Sequence, residues 1–177
     1  SKAVAYLDPS VLRGQKILLP VDGKMVEYTI NTHAMADGKL PFITLTSQDP
    51  GAKPWIVIRG TDPNIVGKSA KNSEAKESAL ASIAADFAKE ISTDSVDDHM
   101  REFSKIFSQF SPQEVNIAGH SLGAFLAQQL SVNAKESGIS NVGTLYSFNS
   151  PGVSKKTEER YEALKDNKQN IKVLCKK

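Results

Sequence analysis

The first sixty residues show a hydrophobic pattern typical of short β-strands. Apolar and β-branched residues cluster in short runs, and turn-forming dipeptides separate some of them. The runs are KILLP (16–20), MVEYTI (25–30), FITLT (42–46) and WIVIRG (55–60), and the turn dipeptides are Asp22-Gly23 and Asp37-Gly38. We therefore predict antiparallel strands at the N-terminal side of the domain.

Helical spacing replaces this pattern beyond residue 80 and then alternates with further strands. Apolar residues recur every three or four positions over 80–91 and again over 96–110. After Ser111-Pro112 the chain reads as strand 114–119, helix 121–138, strand 142–149, helix 155–167 and strand 171–175. Such alternation is typical of parallel βαβ units. The predicted fold class is α/β, with a mainly parallel sheet flanked by helices and antiparallel strands at the N-terminal side.

Length and composition set the limits of this interpretation. The chain of 177 residues is long enough for one domain, 1–177, with a substantial core. No apolar stretch approaches the roughly 20 residues that span a bilayer. The N-terminus lacks the features of a signal peptide, so the sequence leaves the compartment unknown. A formal net charge of +2 is too small to favour nucleic acid as a partner.

The sequence also gives no sign of a metal or a cofactor. Its histidines, acidic residues and single cysteine do not fall at metal-ligand spacing, and phosphate-binding glycine motifs are absent. We expect neither a metal nor a cofactor. The single Cys175 lies in the apolar run IKVLC, and we predict a core thiol rather than a nucleophile.

The stretch EVNIAGHSLGAFLAQ (114–128) contains Gly119-His120-Ser121-Leu122-Gly123, a Gly-x-Ser-x-Gly pattern. Alone it arises by chance in roughly one chain of this length in twenty, but here a predicted strand precedes it and a predicted helix follows it. A serine on such a tight strand-to-helix turn projects its hydroxyl clear of the backbone, and the glycines allow strand and helix to approach. We predict that Ser121 is a catalytic nucleophile and that the N–H of Leu122 is an oxyanion-hole donor.

Three separated segments together resemble the class 3 lipase family, the fungal-type triacylglycerol lipases. The segments are Ile58-Arg59-Gly60-Thr61-Asp62, Ala118-Gly119-His120-Ser121-Leu122-Gly123-Ala124 and Ser147-Phe148-Asn149-Ser150-Pro151-Gly152-Val153. The resemblance covers the chain from about Trp55 to its end, and it implies an α/β-hydrolase fold. It also implies that Thr61 supplies the second oxyanion donor and that His120 fills the variable, structural position of the elbow.

The function implied is hydrolysis of carboxylic esters, with a lipase- or phospholipase-like substrate. The partner would then be an ester or a lipid, and a peripheral contact with a membrane is compatible with it. The expected order in this fold is serine, acid, histidine. After Ser121 the chain has one aspartate, Asp166, and no histidine. The earlier His33 and His99 are predicted to be solvent-exposed.

Three hypotheses account for the incomplete triad. In the first, the C-terminal part of the fold is missing and the sequence is the N-terminal part of a longer hydrolase. In the second, the chain is a catalytically inactive binding module on a hydrolase scaffold. In the third, a second polypeptide supplies the acid and the histidine.

Overall fold

The computed structural model describes residues 13–33, 42–58, 95–150, 152–166 and 172–176. These ranges contain seven strands and three helices. The strands are β1 (Lys16–Val21), β2 (Lys24–His33), β3 (Phe42–Thr46), β4 (Trp55–Ile58), β5 (Val115–His120), β6 (Val142–Phe148) and β7 (Val173–Lys176). The helices are α1 (Ser95–Phe110), α2 (Leu122–Glu136) and α3 (Lys155–Asp166). The predicted helix over 80–91 and the predicted turn at Asp37-Gly38 lie outside the described residues.

All seven strands form one sheet in the order of the sequence, β1 to β7. The first four strands pair antiparallel and the last four pair parallel, with β4 common to both sets. The α/β class and the antiparallel N-terminal region are therefore confirmed. The sheet is mixed rather than mainly parallel, because three of the six described pairings are antiparallel.

The turn between β1 and β2 follows directly from local sequence. Asp22 and Gly23 both have positive φ angles, 50° and 79°. Positive φ at both central residues defines a type I′ turn, for which Asp-Gly is a preferred pair. The flanking residues Val21 and Lys24 pair in register and close the hairpin.

One face of the sheet packs against the helices. Side chains alternate along each strand, so Ile56 and Ile58 of β4 point to this face together with Ile117 of β5. All three helices contribute to the same cluster. The helical members include Phe103, Ile106, Phe107, Leu126, Ala127, Leu130 and Leu164, each at most 5% exposed. This cluster is the core on which α2 rests.

The opposite face carries a second apolar cluster drawn mainly from the antiparallel strands. Its fully buried members include Tyr28, Ile30, Ile43 and Leu45. The parallel strands contribute Ala118 and the partly buried Tyr146, whose ring lies 5.0 Å from that of Trp55. None of the described helices supplies a residue to this cluster. The sheet therefore separates two apolar layers.

The prediction for Cys175 is wrong, because its side chain is exposed. Val173 of the same strand packs against the core, and Val173 and Cys175 both line a cavity of about 520 Å³ between α2, α3 and β7. The short α3 joins the core cluster through Leu164 and Tyr161. Within the described ranges, no helix is long and apolar enough to cross a membrane.

Candidate active site

The Gly-x-Ser-x-Gly motif forms the turn between β5 and α2. β5 ends at His120, α2 begins at Leu122, and Ser121 alone joins them. Ser121 has φ 55° and ψ −120°, a conformation that residues with a Cβ rarely adopt. Such a conformation costs about 1–3 kcal/mol and persists only where the surrounding structure enforces it. The backbone is therefore strained at the residue predicted to be the nucleophile.

Gly119 permits the close approach of strand and helix. A Cβ at this position would lie 2.5 Å from the carbonyl oxygen of Gly123 and 2.7 Å from the backbone of Ala124. Backbone atoms cannot move aside as a flexible side chain can, so any larger residue would push α2 away from β5. Gly119 and Gly123 thus meet at the elbow as the sequence pattern predicts.

Ser121 is held by hydrogen bonds of its backbone rather than of its hydroxyl. Its N–H donates to the carbonyl oxygen of Phe148 at 2.9 Å, which fastens the elbow to the end of β6. Its carbonyl oxygen accepts from the N–H groups of Ala124 and Phe125 at 3.0 and 3.2 Å. The Ser121 side chain makes no capping hydrogen bond to α2. The Ser121 hydroxyl therefore does not cap the helix that follows it.

Leu122 is the first residue of α2, where backbone N–H groups have no partner within the helix. The partial positive charge of a helix N-terminus favours an anion at this end. A tetrahedral oxyanion formed at Ser121 would experience that field. The assignment of Leu122 N–H as an oxyanion donor is chemically consistent with this position and stays a prediction.

Asn149 is a neighbour of the elbow that sequence reasoning did not single out. Its Nδ2 lies 3.5 Å from Nε2 of His120, at the long limit of a hydrogen bond. Asn149 has φ 47°, a left-handed conformation that asparagine tolerates better than most residues. An asparagine at the last position of the predicted strand 142–149 was the available signal. The interpretation of His120 as a structural residue of the elbow stays a prediction.

The structure brings Gly119, Ser121, Leu122 and Gly123 together, but other predicted residues are not placed. Thr61 lies outside the described residues, so its role as second oxyanion donor stays a prediction. His33 ends β2 and His99 lies in α1, but their side chains are not among those described. Within the described ranges, no histidine or carboxylate side chain hydrogen-bonds the Ser121 hydroxyl, and no group of three or more metal-ligating side chains occurs.

The clearest electrostatic feature near α2 lies at its far end. Arg160 of α3 donates from Nε to Oε1 of Glu136 at 2.9 Å, and its Nη2 also contacts Glu136 and Asn133. The guanidinium holds the pKa of the Glu136 carboxyl below its usual value, and the carboxylate raises the pKa of Arg160. This ion pair ties α3 to the helix that begins at Ser121.

The fold and the site together define an α/β protein with a strained serine at a strand-to-helix elbow. A family model described as Mbeg1-like matches residues 32–176, and the chain belongs to the Mbeg1-like family. A search of curated proteins gave no match to the chain.

The match corrects the expected resemblance to class 3 lipases, which is wrong. The physical reason is that the motif around Ser121 specifies a tight turn. Its glycines and serine meet the steric demands of a tight turn, and many different proteins meet the same demand in the same way. The motif therefore indicates a local geometry rather than one family.

Proposed function

We propose that this chain carries an α/β-hydrolase-type domain that hydrolyses carboxylic esters, with Ser121 as nucleophile. The observation that carries the proposal is the backbone of Ser121. A non-glycine residue at φ 55° and ψ −120°, between a buried parallel strand and a helix, is costly to build. A structural turn has no need of a serine there, because glycine would adopt the same angles without strain. A nucleophile does need the side chain.

In the proposed reaction, Oγ of Ser121 attacks the ester carbonyl carbon and its proton passes to a general base. The carbonyl oxygen becomes an alkoxide, stabilised by the N–H of Leu122 and, in the proposal, by Thr61. Collapse of this intermediate breaks the bond to the leaving alcohol, which takes up the proton. Water then hydrolyses the acyl-serine and regenerates Ser121. No base is assigned among the side chains that the structure describes.

The first test is covalent labelling with a fluorophosphonate probe, together with hydrolysis of p-nitrophenyl esters of short and long acyl chains. We expect the probe to attach to the peptide containing Ser121 and the ester substrates to be cleaved. Ser121→Ala should abolish both while the protein stays folded, because the substitution removes only the hydroxyl.

Ser137→Ala is the matched control, since Ser137 caps the other end of the same helix. It should leave labelling and hydrolysis unchanged. A folded protein that neither reacts with the probe nor cleaves any ester would refute the proposal. That result would favour the catalytically inactive binding module.

A further inference from the structure

The partly buried Gln128 forms a polar contact with Ser147 between α2 and the sheet, at the wall of the cavity that Cys175 also lines. Ser147 of β6 is 1% exposed, and its Oγ accepts a hydrogen bond from Nε2 of Gln128 at 2.9 Å. Leu145, two residues before Ser147 on the same face of β6, is 1% exposed. The polar contact therefore lies beside the apolar core.

A gain in stability does not explain why Gln128 forms this contact with Ser147. The other amide atom, Oε1 of Gln128, is buried without a hydrogen-bond partner. Exchanging the two amide atoms would leave the nitrogen unpartnered instead, so either orientation has the same defect. One hydrogen bond contributes about 1 kcal/mol, whereas an unsatisfied buried polar atom costs about 1–3 kcal/mol. Replacing Gln128 by leucine would remove the unsatisfied amide atom but would also leave the buried Ser147 hydroxyl without this partner, so the two effects should roughly cancel.

The position of the pair connects it to the elbow. Ser147 is the register partner of Gly119, and the next residue, Phe148, accepts the N–H of Ser121. Gln128 follows Ser121 by seven residues, which is two turns, so both lie on the same side of α2. The end of β6 therefore holds α2 twice, once at the elbow backbone and once through the Gln128 side chain.

We propose that Gln128 is a positioning residue for Ser121, which acts by fixing the placement of α2 along β6 through its hydrogen bond to Ser147. The inference rests on the proposed function for the chemical role of Ser121. Apolar contacts alone are non-directional and allow a helix small displacements along a sheet. A directed hydrogen bond fixes one placement, and a reacting group displaced by about 1 Å can lose about 10²-fold in rate.

The test compares Gln128→Leu with Gln129→Leu. Gln129 is a matched control because it occupies the next position of α2 and its Oε1 is also buried without a partner. Both variants remove a buried unsatisfied oxygen, and Gln128→Leu also removes the hydrogen-bond partner of Ser147, so both should unfold close to the wild-type temperature. We expect Gln128→Leu to lower the second-order rate of fluorophosphonate labelling at Ser121 about tenfold. Gln129→Leu should label at the wild-type rate.

A double variant separates positioning from general disturbance. Ser147→Ala removes the acceptor, so Ser147→Ala combined with Gln128→Leu should slow labelling no more than Gln128→Leu alone. Additive losses would contradict the proposal. So would a wild-type labelling rate in Gln128→Leu, or an equal loss in Gln129→Leu.

A second measurement does not depend on reactivity. Hydrogen exchange of the Ser121 amide reports its bond to Phe148 directly. Gln128→Leu should speed this exchange about tenfold, with no change at amides in β2. If the wild-type protein does not react with the probe, the proposed function is wrong. Hydrogen exchange of the Ser121 amide then still tests whether Gln128 positions α2. Equal exchange at Ser121 in wild type and Gln128→Leu would overturn it.

Discussion

At Ser121, the strained backbone conformation lowers stability, whereas the proposed reaction requires the serine side chain. The residue holds φ 55° because β5, α2 and the end of β6 enforce it through the contacts at Gly119 and Phe148. Glycine would adopt the same conformation freely, but it has no hydroxyl. Substitution of Ser121 by glycine should therefore raise stability and abolish reactivity.

Ser121→Gly should stabilise the protein by about 1 kcal/mol. Relief of about 1–3 kcal/mol of backbone strain outweighs the additional entropy that glycine loses on folding. The measurement is the free energy of unfolding from urea titration. Ser121→Ala keeps the Cβ and the strain, so it should show no such gain. A destabilised Ser121→Gly would contradict the view that this turn is strained.

Gly119→Ala should destabilise the protein by about 3 kcal/mol or more, because the new methyl group would collide with the backbone of Gly123 and Ala124. Thermal and urea unfolding measure the loss. Gly51→Ala is the control, since the nearest atom to its Cβ would be Asp49 Oδ1 at 3.4 Å. We expect it to stay within about 0.5 kcal/mol of wild type. Similar losses in the two variants would argue against close packing at the elbow.

Among the elements, α2 is the one to which the others are fastened. It starts at the elbow, contacts β6 through Gln128 and ends beside Arg160 of α3. The sequence pattern predicted this helix through Gly138, and the structure ends it at Glu136. Gly138 has φ 84° and its N–H donates to the carbonyl oxygen of Lys135, which terminates the helix. The glycine therefore lies just beyond the helix rather than in it.

The Glu136–Arg160 ion pair predicts a pH dependence of stability. Because the folded-state pKa of Glu136 is lowered, its contribution is complete above the unfolded value of about 4.5 and is lost as the pH falls through the folded value. The Glu136 side chain is 38% exposed, so solvent screening limits the contribution to below about 1 kcal/mol. Glu136→Gln should lower the free energy of unfolding at pH 7 by about 0.5 kcal/mol and lower it by less near pH 3.

Urea titrations of wild type and Glu136→Gln at pH 7 and pH 3 measure these differences in the free energy of unfolding. Glu162→Gln is the control, because Glu162 pairs with Lys165 on the exposed side of one helix. Such a pair adds less than about 0.5 kcal/mol. If Glu136→Gln lost more free energy of unfolding at pH 3 than at pH 7, the pH dependence would run in the opposite direction. The predicted contribution of the ion pair would then be wrong.

For the whole molecule, stability depends on the apolar layer between the helices and the sheet. Leu130 of α2 is fully buried there, whereas Leu18 of β1 is 60% exposed. Leu130→Ala should cost about 2–5 kcal/mol through lost burial and the remaining cavity. Leu18→Ala should stay within about 0.5 kcal/mol of wild type. Urea unfolding of both variants tests whether burial of Leu130 in this layer stabilises the protein, and equal effects would contradict it.

The sequence by itself determined the features that depend on neighbouring residues. Asp22-Gly23 specifies a type I′ turn because both residues accept positive φ, and the spacing of apolar residues over 96–110 specifies a helix with one buried face. The motif around Ser121 indicated a tight elbow because small residues must flank it. Each of these signals is local, so one sequence suffices to show it.

Only the tertiary structure decided what depends on residues distant in the chain. It showed that the sheet is mixed, that Cys175 is exposed beside a cavity, and that Gln128 meets Ser147. The strain at Ser121 also became visible only there, because Phe148 holds its N–H from 27 positions further along. Such pairings arise from the packing of whole elements, and apolar periodicity specifies which face of an element is buried but not which residues it meets.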